Sequence, residues 1–199
     1  MSYSVNQRVD GSFRYTNDVS TVGAVTAPAS GTITAVDEQF GPFVRTTFTL
    51  SAARIAVTDA AGSGSYGSIV LYTLPQCAVS FLGCRQNYTA FAEGAALTTA
   101  AGDAVFEIGV GTTAIAAAAD GTLGNGVDEN VGQAVAVTDS GGTGTGTAVN
   151  GCGTTAFDGT STAIVLHLNW SGSAATIDAS STIDVTGTIS VLWVHMGDD

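Results

Sequence analysis

The sequence predicts an all-β protein, a two-sheet antiparallel sandwich of jelly-roll type with an irregular N-terminal arm. Three observations carry that expectation. The closing third alternates apolar and polar residues with period two, the pattern of a strand with one buried face. Turn residues, including 26 glycines among 199 residues, punctuate the chain at short intervals. Charge is scarce: 11% of residues are charged and 45% hydrophobic, against about 25% charged in ordinary soluble domains. A single domain over 32–199 preceded by an arm over 1–31 accommodates this length, since β-sandwiches of such size are commonly undivided.

In chain order, residues 1–31 have no sustained period. They set Tyr3, Phe13 and Tyr15 among Arg8 and Arg14. Aromatic and arginine side chains are enriched at interface hot spots, so this arm either docks on a partner or folds over its own domain. A first strand is expected over Thr32 to Glu38, a second over Phe43 to Leu50 with Phe48 and Leu50 on one face, and a third over Arg54 to Thr58 with Ile55 and Val57 alternating. Gly62-Ser-Gly-Ser-Tyr-Gly67 matches the spacing of a dinucleotide-binding loop, but that loop must open a helix. The next residues, Ser68 to Leu74, are β-branched and aromatic, so the glycine-rich stretch reads as a hairpin loop.

Pro75 ends that strand, and Ala78 to Leu82 makes another. Over Ala104 to Val110, Phe106, Ile108 and Val110 point inward and Glu107 outward. Thr113 to Ala119 suits a short helical turn or a strand edge, seven residues being too few for an independent helix. After a strand over Val131 to Val137, the Gly/Thr-rich run Ser140 to Thr147 reads as a projecting loop. The last two strands place Ile164, Leu166, Leu168 and Trp170 on one face, then Ile183, Val185, Ile189, Val191 and Trp193. At roughly 1.5–3 kcal/mol per large side chain buried, these residues supply much of the hydrophobic driving force. Joined by turn-prone Ser171 to Ser173, they are expected to form one wall of the sandwich. On the outward face of the final strand, Asp184, Thr186, Thr188 and Ser190 give way to Leu192, Val194 and Met196. Such a patch is costly when bare, so either the arm or another subunit is expected to cover it.

The charge is unevenly placed. All five basic residues, Arg8, Arg14, Arg45, Arg54 and Arg85, fall in the first 85 positions, and the net charge of −12 belongs to the remainder. That acidic part repels phosphate, which excludes nucleic acid and anionic membrane as expected partners. It serves as a solubility device or as a functional polarity, an arginine-bearing part that docks and an acidic part that faces solvent. The opening residues show neither a secretory signal nor a membrane span, so synthesis in the cytoplasm is expected.

Motifs that carry chemistry are few. Of three cysteines, Cys77 and Cys84 could meet across a tight loop, or all could stay reduced. His167 and His195 lie on different strands without a metal-binding motif; a zinc site drawing on Cys152 is the alternative to structural imidazoles. Asp120, Asp128 and Glu129 crowd one loop and form a weak calcium candidate, although their spacing is not that of an EF-hand. Asn87-Tyr-Thr89 and Asn169-Trp-Ser171 fit the glycosylation pattern, which carries little meaning without a secretory signal. There is no nucleophile elbow and no paired carboxylate, so neither catalysis nor a cofactor is expected.

Several segments together carry a resemblance: Leu166-His-Leu-Asn-Trp170, the run from Ile177 to Trp193 with Met196-Gly-Asp, Val105 to Gly111, and Asp120-Gly-Thr-Leu123. From about Ser68 to the C-terminus the chain resembles accessory structural proteins of tailed-bacteriophage heads. The resemblance implies a decoration, or cement, protein on the outside of a virion capsid. Its partners would be the major capsid protein and its own copies, in a homotrimer. A tail, spike or fibre component, or a glycan- or host-binding module, is the alternative. That alternative requires Trp170, Trp193, Tyr66 or Tyr88 to be solvent-accessible.

Overall fold

The computed structural model describes residues 3–7, 13–17, 23–59, 65–93, 105–116, 123, 129–138, 146–150, 156–172 and 180–196. Among these every regular element is a strand. They are β1 (Tyr3–Gln7), β2 (Phe13–Asn17), β3 (Ala24–Val25), β4 (Thr32–Phe40), β5 (Phe43–Asp59), β6 (Ser65–Thr73) and β7 (Ala78–Glu93), then β8 (Val105–Gly111), β9 (Gly132–Thr138), β10 (Gly146–Asn150), β11 (Ala156–Asp158), β12 (Val165–Gly172) and β13 (Ser181–His195). The all-β expectation holds, and all the described pairings are antiparallel.

The main sheet runs in the order β10-β7-β13-β5-β6-β12-β8-β9, with β4 beside β5, β3 beside β6 and β11 beside β7. Its hydrogen bonding is continuous through this order, and the sheet curls into a half-barrel. Right-handed strand twist and local bulges give such a sheet its curvature. Near the two ends of the order, β7 and β9 come together. The Gln86 amide Nε2 donates to the Gln133 carbonyl at 2.8 Å, and a Cβ on Gly132 would stand 2.7 Å from Cys84 Sγ. Only a glycine lets β9 approach β7 that closely.

The concave face holds one apolar cluster. Trp170, Trp193, Phe48, Phe81, Leu168, Ile55, Val185, Ile189 and Val191 are all fully buried. The alternation read from the two closing strands is therefore the alternation that packs the core, with Ile164 half-buried at its margin. Those strands are not neighbours, however: β12 pairs with β6 and β8, and β13 with β5 and β7. Period two reports which face a residue takes; it does not report which strand lies alongside.

Three further differences have local causes. The strands expected over 43–50 and 54–58 are one strand, β5, interrupted by a bulge at Ser51-Ala52. The strand expected over 78–82 continues to Glu93 through register shifts against β13. The N-terminal arm is not wholly irregular: β1 and β2 pair as a separate two-stranded sheet, and β3 joins the main sheet through β6. Of the Gly62 to Gly67 stretch expected as a hairpin loop, Ser65 to Gly67 already belong to strand β6 and the rest lies outside the described residues; a strand follows, as the β-branched residues predict. Of Thr113 to Ala119, the described part takes neither helix nor strand.

Candidate functional site

The chemistry weighed from the sequence is dispersed by the fold. His167 stands on β12, half-buried, with Nδ1 3.5 Å from Ser68 Oγ, and burial pushes its imidazole below the ordinary value, so it is neutral at pH 7. His195 ends β13. Cys77 and Cys84 are both buried, Cys84 within β7 and Cys77 just before it, and at ~3.3 Å per residue the strand separates them by about 20 Å. They are not bonded to each other. Asp120, Asp128 and Cys152 lie outside the described residues. Glu129 accepts from the Ala134 amide, and Glu107, expected to point outward, accepts from the Leu123 amide. Among the described residues no three His, Cys, Asp or Glu side chains gather as metal ligands. Asn169 is fully buried, its amide bonded to Thr113 O and the Ile115 N–H, which removes one of the two glycosylation matches from the surface.

What the fold does assemble is a surface. Partners opposite one another in an antiparallel pair point to the same side, so the registers of β4, β5, β13 and β7 define the convex face of a four-stranded wall. At one end Phe40 pairs with Phe43, and Phe43 with Val194. In the next rows Glu38 faces Arg45 and Arg45 faces Leu192, while Thr47 and Arg85 flank Ser190. Leu82 and Leu192 lie where β7 and β13 shift register between Leu192 and Trp193. Phe40, Phe43, Leu82, Leu192 and Met196 are all exposed, Met196 the most at 49%. Val194 is half-buried. The expected Leu192, Val194 and Met196 patch thus exists, and is larger than the last strand alone reveals.

The same wall collects Arg45, Arg54 and Arg85, every arginine whose side chain is described. Arg45 is paired with Glu38. Arg54 grips Asp184 with Nε at 2.7 Å and Nη2 at 2.8 Å, a two-point contact that holds the Asp184 carboxyl below its ordinary range. Arg85 is exposed and makes no ion pair among the described residues. Leu82, Phe40, Phe43 and Arg85 are not among the individually expected interface residues; Arg85 is expected only as part of the arginine-bearing portion of the chain. The available signal was Phe40-Gly-Pro-Phe43, a tight turn with an aromatic at each flank.

Of the other expected interface residues, Tyr3, Phe13, Arg14 and Tyr15 belong to the paired strands β1 and β2, with side chains outside the described set, and Arg8 lies outside the described residues. Trp170, Trp193 and Tyr88 are buried and Tyr66 is half-buried, so the aromatic platform that a glycan-binding module requires is not assembled from them. No helix among the described residues is long and apolar enough to cross a membrane. Compared with known families and with curated proteins, the chain matches no family model and no curated protein.

Proposed function

We propose that this chain is a structural protein of a tailed-bacteriophage virion, a decoration protein that binds the outside of the capsid shell and stabilises it. In this reading it is made in the host cytoplasm, performs no reaction, and takes neither nucleic acid nor membrane as a partner. The carrying observation is the convex wall, where exposed Phe43, Leu82, Leu192 and Met196 lie at one end with Arg45 and Arg85 in the adjoining rows, on a chain that is otherwise strongly acidic. Exposed apolar area with arginine beside it is the composition of protein–protein interfaces, and symmetry multiplies each weak contact many times. The residues from Tyr3 to Tyr15 are the proposed contact with the major capsid protein, and the wall is the proposed contact between copies. The jelly-roll sandwich belongs to the same proposal, supported by the approach of β7 to β9.

The test is re-addition of the protein to shells from which it has been removed. The whole chain binds and raises the temperature at which shells rupture. A chain lacking residues 1–31 keeps its β-type circular dichroism and fails to bind. Binding retained without the arm overturns the docking role, and whole chain that neither binds nor stabilises overturns the function.

A further inference from the structure

Two charges on the convex face are left over. Arg85 has no anionic partner among the described residues, and the strand beyond it, β10, contains no acidic residue. Asp158, on β11 at the edge of the wall, is exposed and has no cationic partner among the described residues. Its Oδ1 accepts from the Thr160 amide at 3.0 Å and from the Thr160 hydroxyl at 2.6 Å, which fixes the carboxylate and favours its charged form. Asp158 pairs in register with Ala78, and the inward neighbour Phe157 packs on Phe81, so Asp158 points to the same convex side as Arg85. Seven residues of extended chain separate Ala78 from Arg85, about 20 Å, so the two charges cannot meet within one molecule.

Leu82 lies about midway between them, beside Leu192. A two-fold axis through that point carries each residue of a pair onto its counterpart, so residue i meets j and j meets i. We propose that two copies of this chain dock wall to wall about such an axis, with Leu82 and Leu192 packed on their mates and two Arg85–Asp158 ion pairs closing either side. The inference rests on the assembly reading above and replaces the homotrimer implied by the resemblance with an isologous dimer. Apolar contact at the centre and charge at the rim is the usual anatomy of a specific interface.

Sedimentation velocity on the whole chain at micromolar concentration tests it. The expected species has the mass of two chains. Arg85→Glu and Asp158→Arg each weaken self-association by about tenfold or more, and the double variant regains it. Arg85→Gln and Asp158→Asn, which remove the charge without reversing it, replace either reversal whose circular dichroism departs from the parent. A monomer, a trimer, a dimer indifferent to both single changes, or a double variant that fails to recover each overturns the proposal. A dimer that forms as expected from a chain absent from phage particles leaves the pairing standing and removes the virion function instead.

Discussion

The indole Nε1 of Trp193 donates to the Thr46 hydroxyl at 3.0 Å, with Trp193 fully buried and Thr46 only 1% exposed. Thr46 in turn donates to Asp37 Oδ1 at 2.6 Å, and Tyr72 donates its phenol proton to Asp37 Oδ2 at 2.6 Å. One carboxylate on β4 thereby ties β13, β5 and β6 together from inside the curl. Removing a middle member strands a buried donor that nothing else can satisfy.

Thr46→Val keeps the volume and removes the hydroxyl. The expected loss is about 1–3 kcal/mol, the cost of an unsatisfied buried donor. For a chain of this size each kcal/mol lowers Tm by about 2–4 °C. A thermal melt followed by near-ultraviolet circular dichroism reads the shift together with the Trp193 environment; an unchanged Tm contradicts the network.

Burial first, and the Asp37 carboxylate beside it, hold the Tyr72 phenol well above its ordinary value. A group raised in the folded state contributes stability below its unfolded value, near 10, and loses it as pH rises past that point. Stability should therefore fall above about pH 10 by up to about 1.4 kcal/mol per pH unit for each such tyrosine. Tyr88, raised by its own burial, contributes a second share. Tyr72→Phe should flatten the alkaline limb of denaturant midpoint against pH without abolishing it. Parallel limbs for parent and variant contradict the assignment.

Ala52 sits at φ +48° in the β5 bulge, where Ser51 and Ala52 together oppose Thr186, whose hydroxyl accepts from the Ala52 amide at 3.0 Å. The left-handed region costs an L-residue roughly 1–2 kcal/mol, a strain glycine does not bear. Ala52→Gly should raise stability by about 1 kcal/mol, read as an increase in the denaturant midpoint at constant m. A decrease shows that the bulge does not impose this backbone.

Asp184 titrates in the opposite sense to Tyr72. Arg54 lowers its folded value, so the carboxylate stabilises above the unfolded value near 4, and that contribution is lost as pH falls through the lower folded value. Asp184→Asn should make stability less dependent on pH between about 5 and 2, where the parent weakens. Because the pair is partly exposed, added salt should shrink the difference. Equal acid limbs in low salt contradict the pairing.

The strands of the core were legible in the sequence and their arrangement was not. Leu166, Leu168, Trp170, Val185, Ile189, Val191 and Trp193 keep strict alternation, and burial follows it. In β7 the phase shifts near Leu82-Gly83, and although burial alternates again from Cys84 to Tyr88, one of the buried positions is the polar Gln86, so hydropathy does not show it. At Ser51-Ala52 no glycine announces the bulge, and one strand reads as two. The convex wall was legible only as fragments. Phe43, Arg85 and Leu192 are up to 149 positions apart in the chain and share one face because β5 and β7 flank β13, a pairing set by long-range register rather than by local pattern. A face composed across strands in this way leaves no signature along any one of them.

Cryo-electron microscopy of phage particles from the native source tests the central claim most directly. The account predicts density of this half-barrel on the outside of an icosahedral shell, in a copy number set by the shell's symmetry, with the β1–β2 segment toward the capsid protein. Particles whose shell, at side-chain resolution, carries no copy of the chain contradict it.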